Sequence, residues 1–159
     1  MMVKKVILVV IVAVFAFFYY DHTKAVEKAQ KNIEIGAQFL AENSLLDGVI
    51  TTDSGLQYKV LVKGQGKAHP TEESSVTVNY RGTLVDGTVF DSSIERGKPI
   101  TFEVNKTIPG WREGMPLMVE GDKFRFYIPS HLAYGDRDVG NVISAGSLLI
   151  FDVDLISIN

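Results

Sequence analysis

Hydrophobic and polar positions follow three different rhythms along this chain. From Val6 to Tyr20 the run is uninterruptedly apolar, preceded by Lys4-Lys5. From Thr23 to Asn43, Val26, Ala29, Ile33, Ala37 and Leu40 recur at spacings of three and four, with Lys28, Lys31 and Glu34 off that stripe. This is the period of a helix with one apolar side. Beyond Asn43 the period drops to two, as half-buried strands require. Val76, Val78 and Tyr80 alternate with Thr77, Asn79 and Arg81, and Asp86-Gly87 then divides this run from Val89-Phe90-Asp91, which predicts a hairpin. Further strands are expected over Leu56 to Val62, Ile100 to Val104, Lys123 to Pro129 and Ser147 to Ile158. In the last, Leu148, Ile150, Val153 and Leu155 form the alternating set, with a break at Phe151-Asp152. Asn43 to Gly55, Lys63 to Ser74 and Ser130 to Gly146 read as connections. Only Ile108 to Met115 suggests a helix within this part, with Pro109 suited to its first turn and Pro116 stopping it. Several short strands and one very short helix predict an α+β domain, an antiparallel sheet curled around that helix.

The three rhythms divide the chain into a leader over 1–22, an amphipathic helix and linker over 23–48, and a globular unit over 49–159 with its core at 74–159. As a helix the fifteen residues from Val6 to Tyr20 would span about 22 Å, against a hydrocarbon core of roughly 30 Å. That length suits a signal-sequence core. A cut after Ala16 would put Val14 at the third position before it, without the usual A-x-A pattern, and Phe17 to Tyr20 resemble an interfacial aromatic belt. An uncleaved signal anchor is therefore favoured over a cleaved leader. Either way the lysines stay on the cytoplasmic side and the remainder is exported, held by a single span or released. The helix that follows either lies against its own domain or pairs with a second copy to make a homodimer.

Composition narrows the chemistry. The 159 residues carry a net charge of −3 with the two signs interspersed, so no basic stripe points to nucleic acid. There is no cysteine, which excludes disulfides and thiolate catalysis. The three histidines, His22, His69 and His131, lack ligand-like spacing, so no metal is expected. No nucleophile elbow, phosphate loop or dinucleotide fingerprint occurs. What remains is a set of aromatics near strand ends or loops: Tyr80, Phe90, Trp111, Tyr134 and Phe151. Trp111 is the least suited to an ordinary core, because it opens a helix directly after Pro109-Gly110. A concave apolar site with a few polar groups at its rim is the usual form for binding a small hydrophobic group.

The run YRGTLVDGTVFDSS, followed in order by GKPITF, IPGWREGM, IPSHLAYG and LLIFDVDL, resembles the FKBP-type peptidyl-prolyl isomerases. The upstream TTDSGLQYKVLVKGQG is similar to the segment leading into the bacterial branch related to the macrophage infectivity potentiator. That likeness implies a place in a bacterial inner membrane, single-pass with the domain facing the periplasm, or a soluble periplasmic form after cleavage. The resemblance covers about Asn43 to Asn159. It implies the same curled sheet around a short helix and a prolyl isomerase needing no cofactor. It also implies a pocket walled by Tyr80, Phe90, Ile108, Tyr134 and Phe151 over a floor of Trp111. Asp91 would stand at the rim, steadied by Arg96. The Ile108 N–H and the Tyr134 hydroxyl would donate to substrate carbonyls. Ile100, Phe102, Thr107, Ala133 and Ile143 complete the implied substrate-binding set. The implied partners are unfolded or partly folded proline-containing polypeptides, with macrolide inhibitors such as rapamycin as further ligands. Three positions depart from the family's habit: Ile100 stands where an aromatic is frequent, Thr107 replaces a frequent valine, and Ile143-Ser144-Ala145 replaces Ile-Pro-Pro. A chaperone or holdase, or a peptide-binding module, with incidental isomerase activity is the alternative function.

Overall fold

The computed structural model describes residues 2–159, with side chains from Ala13 onward. Its first element is one helix, α1 (Met2–Asn43), which runs unbroken through the boundary expected near residue 22. The start of the apolar run, up to Val12, lies outside the described side chains. Among the described residues, no helix is long and apolar enough to cross a membrane.

Seven strands follow: β1 (Val49–Thr51), β2 (Gln57–Val62), β3 (Ser75–Thr83), β4 (Val89–Ser92), β5 (Ile100–Glu103), β6 (Lys123–Ile128) and β7 (Leu149–Ile158). Between β5 and β6 comes the short helix α2 (Pro109–Gly114). The sheet is antiparallel throughout, in the order β1-β2-β6-β7-β3-β4, and β5 also pairs with β3. β3 is therefore central: one edge runs along β7, and the other is shared by β5 over Ser75–Val78 and β4 over Arg81–Thr83. Its period of two is the predicted one, with Val76, Val78 and Tyr80 buried on the inner face. α2 lies across that face. Gly110 and Gly114, one turn apart, seat it against β6, since a Cβ at either would press on Ile128 or Phe126. Pro116 does not stop the chain dead; it converts the last turn to a 3-10 turn at Met115–Leu117.

Three expectations need correction. β1 lies within a stretch that reads as punctuation, because three residues are too few for a period to show. In β7 the inward set is Leu149, Phe151, Val153 and Leu155, one residue out of the expected phase in its first half. The irregularity falls instead opposite Thr77/Val78, and Phe151 is continuous with the inner face. In α1 the docked side coincides only in part with the apolar stripe, sharing Ala29 and, half-buried, Leu40. Ala29, Gly36 and Asn43 are buried and Asn32 and Phe39 partly so, whereas Val26 and Ile33 are 54% and 42% exposed. Small and amide side chains dock because the loop and strand ends they meet offer backbone carbonyls and a glutamine. Asn43 donates to the Gln57 side chain at 2.8 Å, and Gln57 donates to the Leu40 carbonyl at 2.9 Å.

Candidate functional site

The sheet and α2 leave one large hollow, of about 910 Å³, at the end of β3 where β4, β5 and β7 converge. Trp111 forms its base. It enters from the first turn of α2, is 5% exposed, and its ring centroid lies 5.1–5.5 Å from those of Phe102, Phe151 and Tyr80. The contacts with Tyr80 and Phe151 are edge-on, an arrangement that the positive ring edge and negative ring face favour. Its indole N–H is buried without a hydrogen-bond partner among the described residues. The ring contacts with Phe102, Phe151 and Tyr80 hold the indole there.

Phe90 (β4) stands edge-on to Phe151 (β7), centroids 5.3 Å apart, and these rings with Tyr80 make one wall. Gly82 on β3 makes room for that wall: a Cβ there would lie 2.5 Å from the Phe90 ring and 2.9 Å from Phe151. Ile100 and Phe102 from β5, then Thr107 and Ile108, make the opposite side. Ile108 is the residue before α2, with extended backbone, so its carbonyl caps the helix at Trp111 N–H (3.0 Å). Its own N–H has no partner among the described residues. Tyr134 and Ile143 close the rim from the long loop. The Tyr134 hydroxyl also lacks a protein partner among the described residues.

One polar cluster adjoins these rings. The Tyr80 hydroxyl donates to the Asp91 carboxylate, Arg96 pairs with the same carboxylate, and Arg96 Nη2 donates to the Tyr80 hydroxyl at 3.0 Å. Burial works to raise the Asp91 carboxyl. The hydrogen bonds from Tyr80 and Arg96, with the arginine's charge, outweigh it and hold the group below its ordinary value. The Tyr80 phenol is pushed up, by burial first and then by donating to Asp91. The tyrosine thus stays neutral and its oxygen stays pointed at the carboxylate.

Eleven of the thirteen residues expected at the site line this hollow. Arg96 and Ala133 do not. Arg96 acts from behind Asp91, as the resemblance implies, and Ala133 packs against the core. Lys106, Val139, Gly140, Asn141 and Val142 also line it and were not anticipated. They lie on a 3-10 turn and on a loop, where no periodicity marks a side chain as facing inward.

This geometry and the comparisons agree: the chain belongs to the FKBP-type peptidyl-prolyl cis-trans isomerase family. The family model matches residues 66–156, and a model for the domain amino terminal to such isomerases matches residues 11–60. A probable FKBP-type peptidyl-prolyl cis-trans isomerase FkpA of Neisseria meningitidis is 50% identical over 146 residues, which are 89% of this chain and 53% of that protein. The outer membrane protein MIP of Legionella longbeachae is 46% identical over 132 residues, 83% of this chain and 56% of that one. The chain thus spans about half the length of the curated relatives it matches. Among solved structures, the crystal structure of FkpA from Escherichia coli superposes with a TM-score of 0.85 at 35% identity, covering 92% of this chain and 70% of that one. The curled sheet with α2 across it is the family's fold.

Proposed function

We propose that this chain is a peptidyl-prolyl cis-trans isomerase that speeds X-Pro exchange in other exported polypeptides as they fold. The observation that carries this reading is the ring-lined hollow over Trp111, with two donors at its edge that have no partner among the described residues, the Ile108 N–H and the Tyr134 hydroxyl. Rotation about a peptide bond is opposed by ~18–20 kcal/mol because resonance must be broken. Proline, a tertiary amide, populates both isomers but exchanges them in tens to hundreds of seconds. In the twisted transition state the carbonyl oxygen carries less charge and needs less water. An apolar slot therefore disfavours the planar amide more than the twisted one, which is differential binding. A preference of about 5–7 kcal/mol corresponds to ~10⁴–10⁵ in rate.

In this reading the prolyl ring sits on Trp111 between Phe90, Phe151 and Tyr80, while Ile108 N–H and Tyr134 hold the flanking carbonyls. Asp91, anchored by Tyr80 and Arg96, faces the peptide from the rim. Rapamycin-type macrolides would compete for the same slot, with Ile100 and Ile143 tuning their affinity. A protease-coupled or NMR exchange assay on an X-Pro peptide tests the proposal. Catalysis is expected, and exchange at the uncatalysed rate would eliminate it.

The apolar run from Val6 to Tyr20 serves as the export element. Mass spectrometry of the mature N-terminus separates the two forms: Met1 marks a retained anchor, and a residue just beyond Ala16 marks a removed leader. The exposed Val26 and Ile33 on α1 favour a second reading, in which helices of two copies pair and the chain also holds unfolded clients. Sedimentation of Ile33→Lys against the parent chain tests the pairing. Suppressed aggregation of a proline-poor client, retained in Phe90→Ala, tests the holding role.

A further inference from the structure

We propose that helix α1 positions the outer rim of the slot, and that Asn32, remote from the hollow, is the positioning residue. Val139, Gly140, Asn141, Val142 and Ile143 reach the hollow from a loop between Gly135 and Gly146. That loop is closed on itself. Gly146 N–H donates to the Gly135 carbonyl at 2.8 Å, and Val139 and Ile143 exchange backbone bonds of 2.8 and 3.3 Å. The Ala145 N–H donates to the Asp138 carboxylate at 2.7 Å. None of these bonds ties the closed loop to the sheet.

Ile143, buried in the core, and Val139 beside it pack the inner side of the loop, and α1 supplies the hydrogen bond that holds its outer end. Asn32 Nδ2 donates to the Ala145 carbonyl at 2.8 Å, so the same residue is held through its N–H from within the loop and through its carbonyl from the helix. Beside it Gly146, at φ +78°, lies so close to α1 that a Cβ would collide with the Ala29 carbonyl. Two residues on, buried Leu148 packs over Gly36. Ala29, Asn32 and Gly36 are spaced by three and four, so a single face of α1 makes all three contacts. A loop held this way is preorganised. If it loosens, part of the binding energy goes into ordering it, and affinity falls while the floor and ring wall are untouched. The kinetic part of this inference rests on the isomerase reading above; the mechanical part does not.

The experiment compares the full chain with Asn32→Ala, the isosteric Asn32→Asp, which has no donor, and Gln30→Ala. Gln30 is exposed and, among the described residues, its side chain bonds only to Glu34 on its own helix. Backbone amide exchange without peptide is the first readout. The second is KM and kcat on an X-Pro peptide, with binding followed by the fluorescence of Trp111, the chain's single tryptophan. Both Asn32 variants are expected to exchange residues 139–146 about three- to tenfold faster, the factor that one net hydrogen bond carries. β3 and β7 stay as protected as before. KM and the peptide dissociation constant should rise by a like factor at unchanged kcat, and Gln30→Ala should match the parent. The inference is overturned if loop exchange is unaltered, if protection falls evenly over the whole domain, or if kcat drops at constant KM. The exchange measurement decides it even for a chain that fails to isomerise.

Discussion

The indole of Trp111 meets the ring of Phe151 edge-on, with centroids 5.2 Å apart and planes at 80°. One ring comes from the first turn of α2 and the other from near the start of the sheet's longest strand. The contact therefore locks the short helix to the sheet and shapes the base of the slot in a single step. Trp111→Leu should cost about 2–4 kcal/mol of stability, as large-to-small changes in a packed interior do. It should also lower kcat/KM by at least about tenfold, or 1.36 kcal/mol of transition-state binding. Chemical denaturation and the peptide exchange assay measure the two losses separately.

Phe90 is only partly buried, so it separates wall from foundation better than Trp111 does. Phe90→Ala is expected to lose at least about tenfold in kcat/KM while the melting temperature falls by only a few degrees. Asp91→Ala should lose less, because polarity at the rim tunes the site and does not create it. If Asp91→Ala abolished turnover and Phe90→Ala left it intact, the apolar-slot account would be wrong.

Gly82→Ala tests the space under the wall. The added methyl must displace the Phe90 or Phe151 ring, an overpacking that costs about 1–3 kcal/mol. The displaced ring enters the hollow, so peptide affinity should fall along with stability. An alanine variant with parental affinity would show that the wall yields without closing the slot.

The Asp91 cluster sets the acid limit of the site. Its carboxyl lies below the ordinary 3.8 in the folded chain, so the cluster's contribution to stability is complete above that value. It is lost as the pH falls through the lower folded value. Tyr80 behaves oppositely: its folded phenol lies above the ordinary 10.0, so its contribution is present below that value and lost as the pH rises through the folded one. Stability against pH should therefore show an acid limb that shrinks in Asp91→Asn and an alkaline limb that shrinks in Tyr80→Phe. Because Asp91 is well exposed at its side chain, solvent screens the pair and both limbs should be shallow. Denaturant midpoints from pH 2 to 11 follow both.

The local pattern of the chain determined the α+β class, the alternation of β3, the β3–β4 hairpin, the brief α2 and the ring-bearing motifs. Each depends on neighbours a few residues apart, through strand period, turn glycines and the fixed φ of proline. Only the tertiary structure decided which face of each element does the work. β7 reads inward through Phe151 because its pairing with β3 and β6 sets its phase, and a slip of one residue reverses every side chain. α1 docks through Ala29, Asn32 and Gly36 and leaves Val26, Ile33 and Ala37 of its apolar stripe exposed, because the partner surface there is loop backbone, which small residues and an amide fit better than long aliphatic chains. Lys106 and the residues from Val139 to Val142 join the site through a turn and a loop, whose course follows from distant contacts and leaves no rhythm in the sequence.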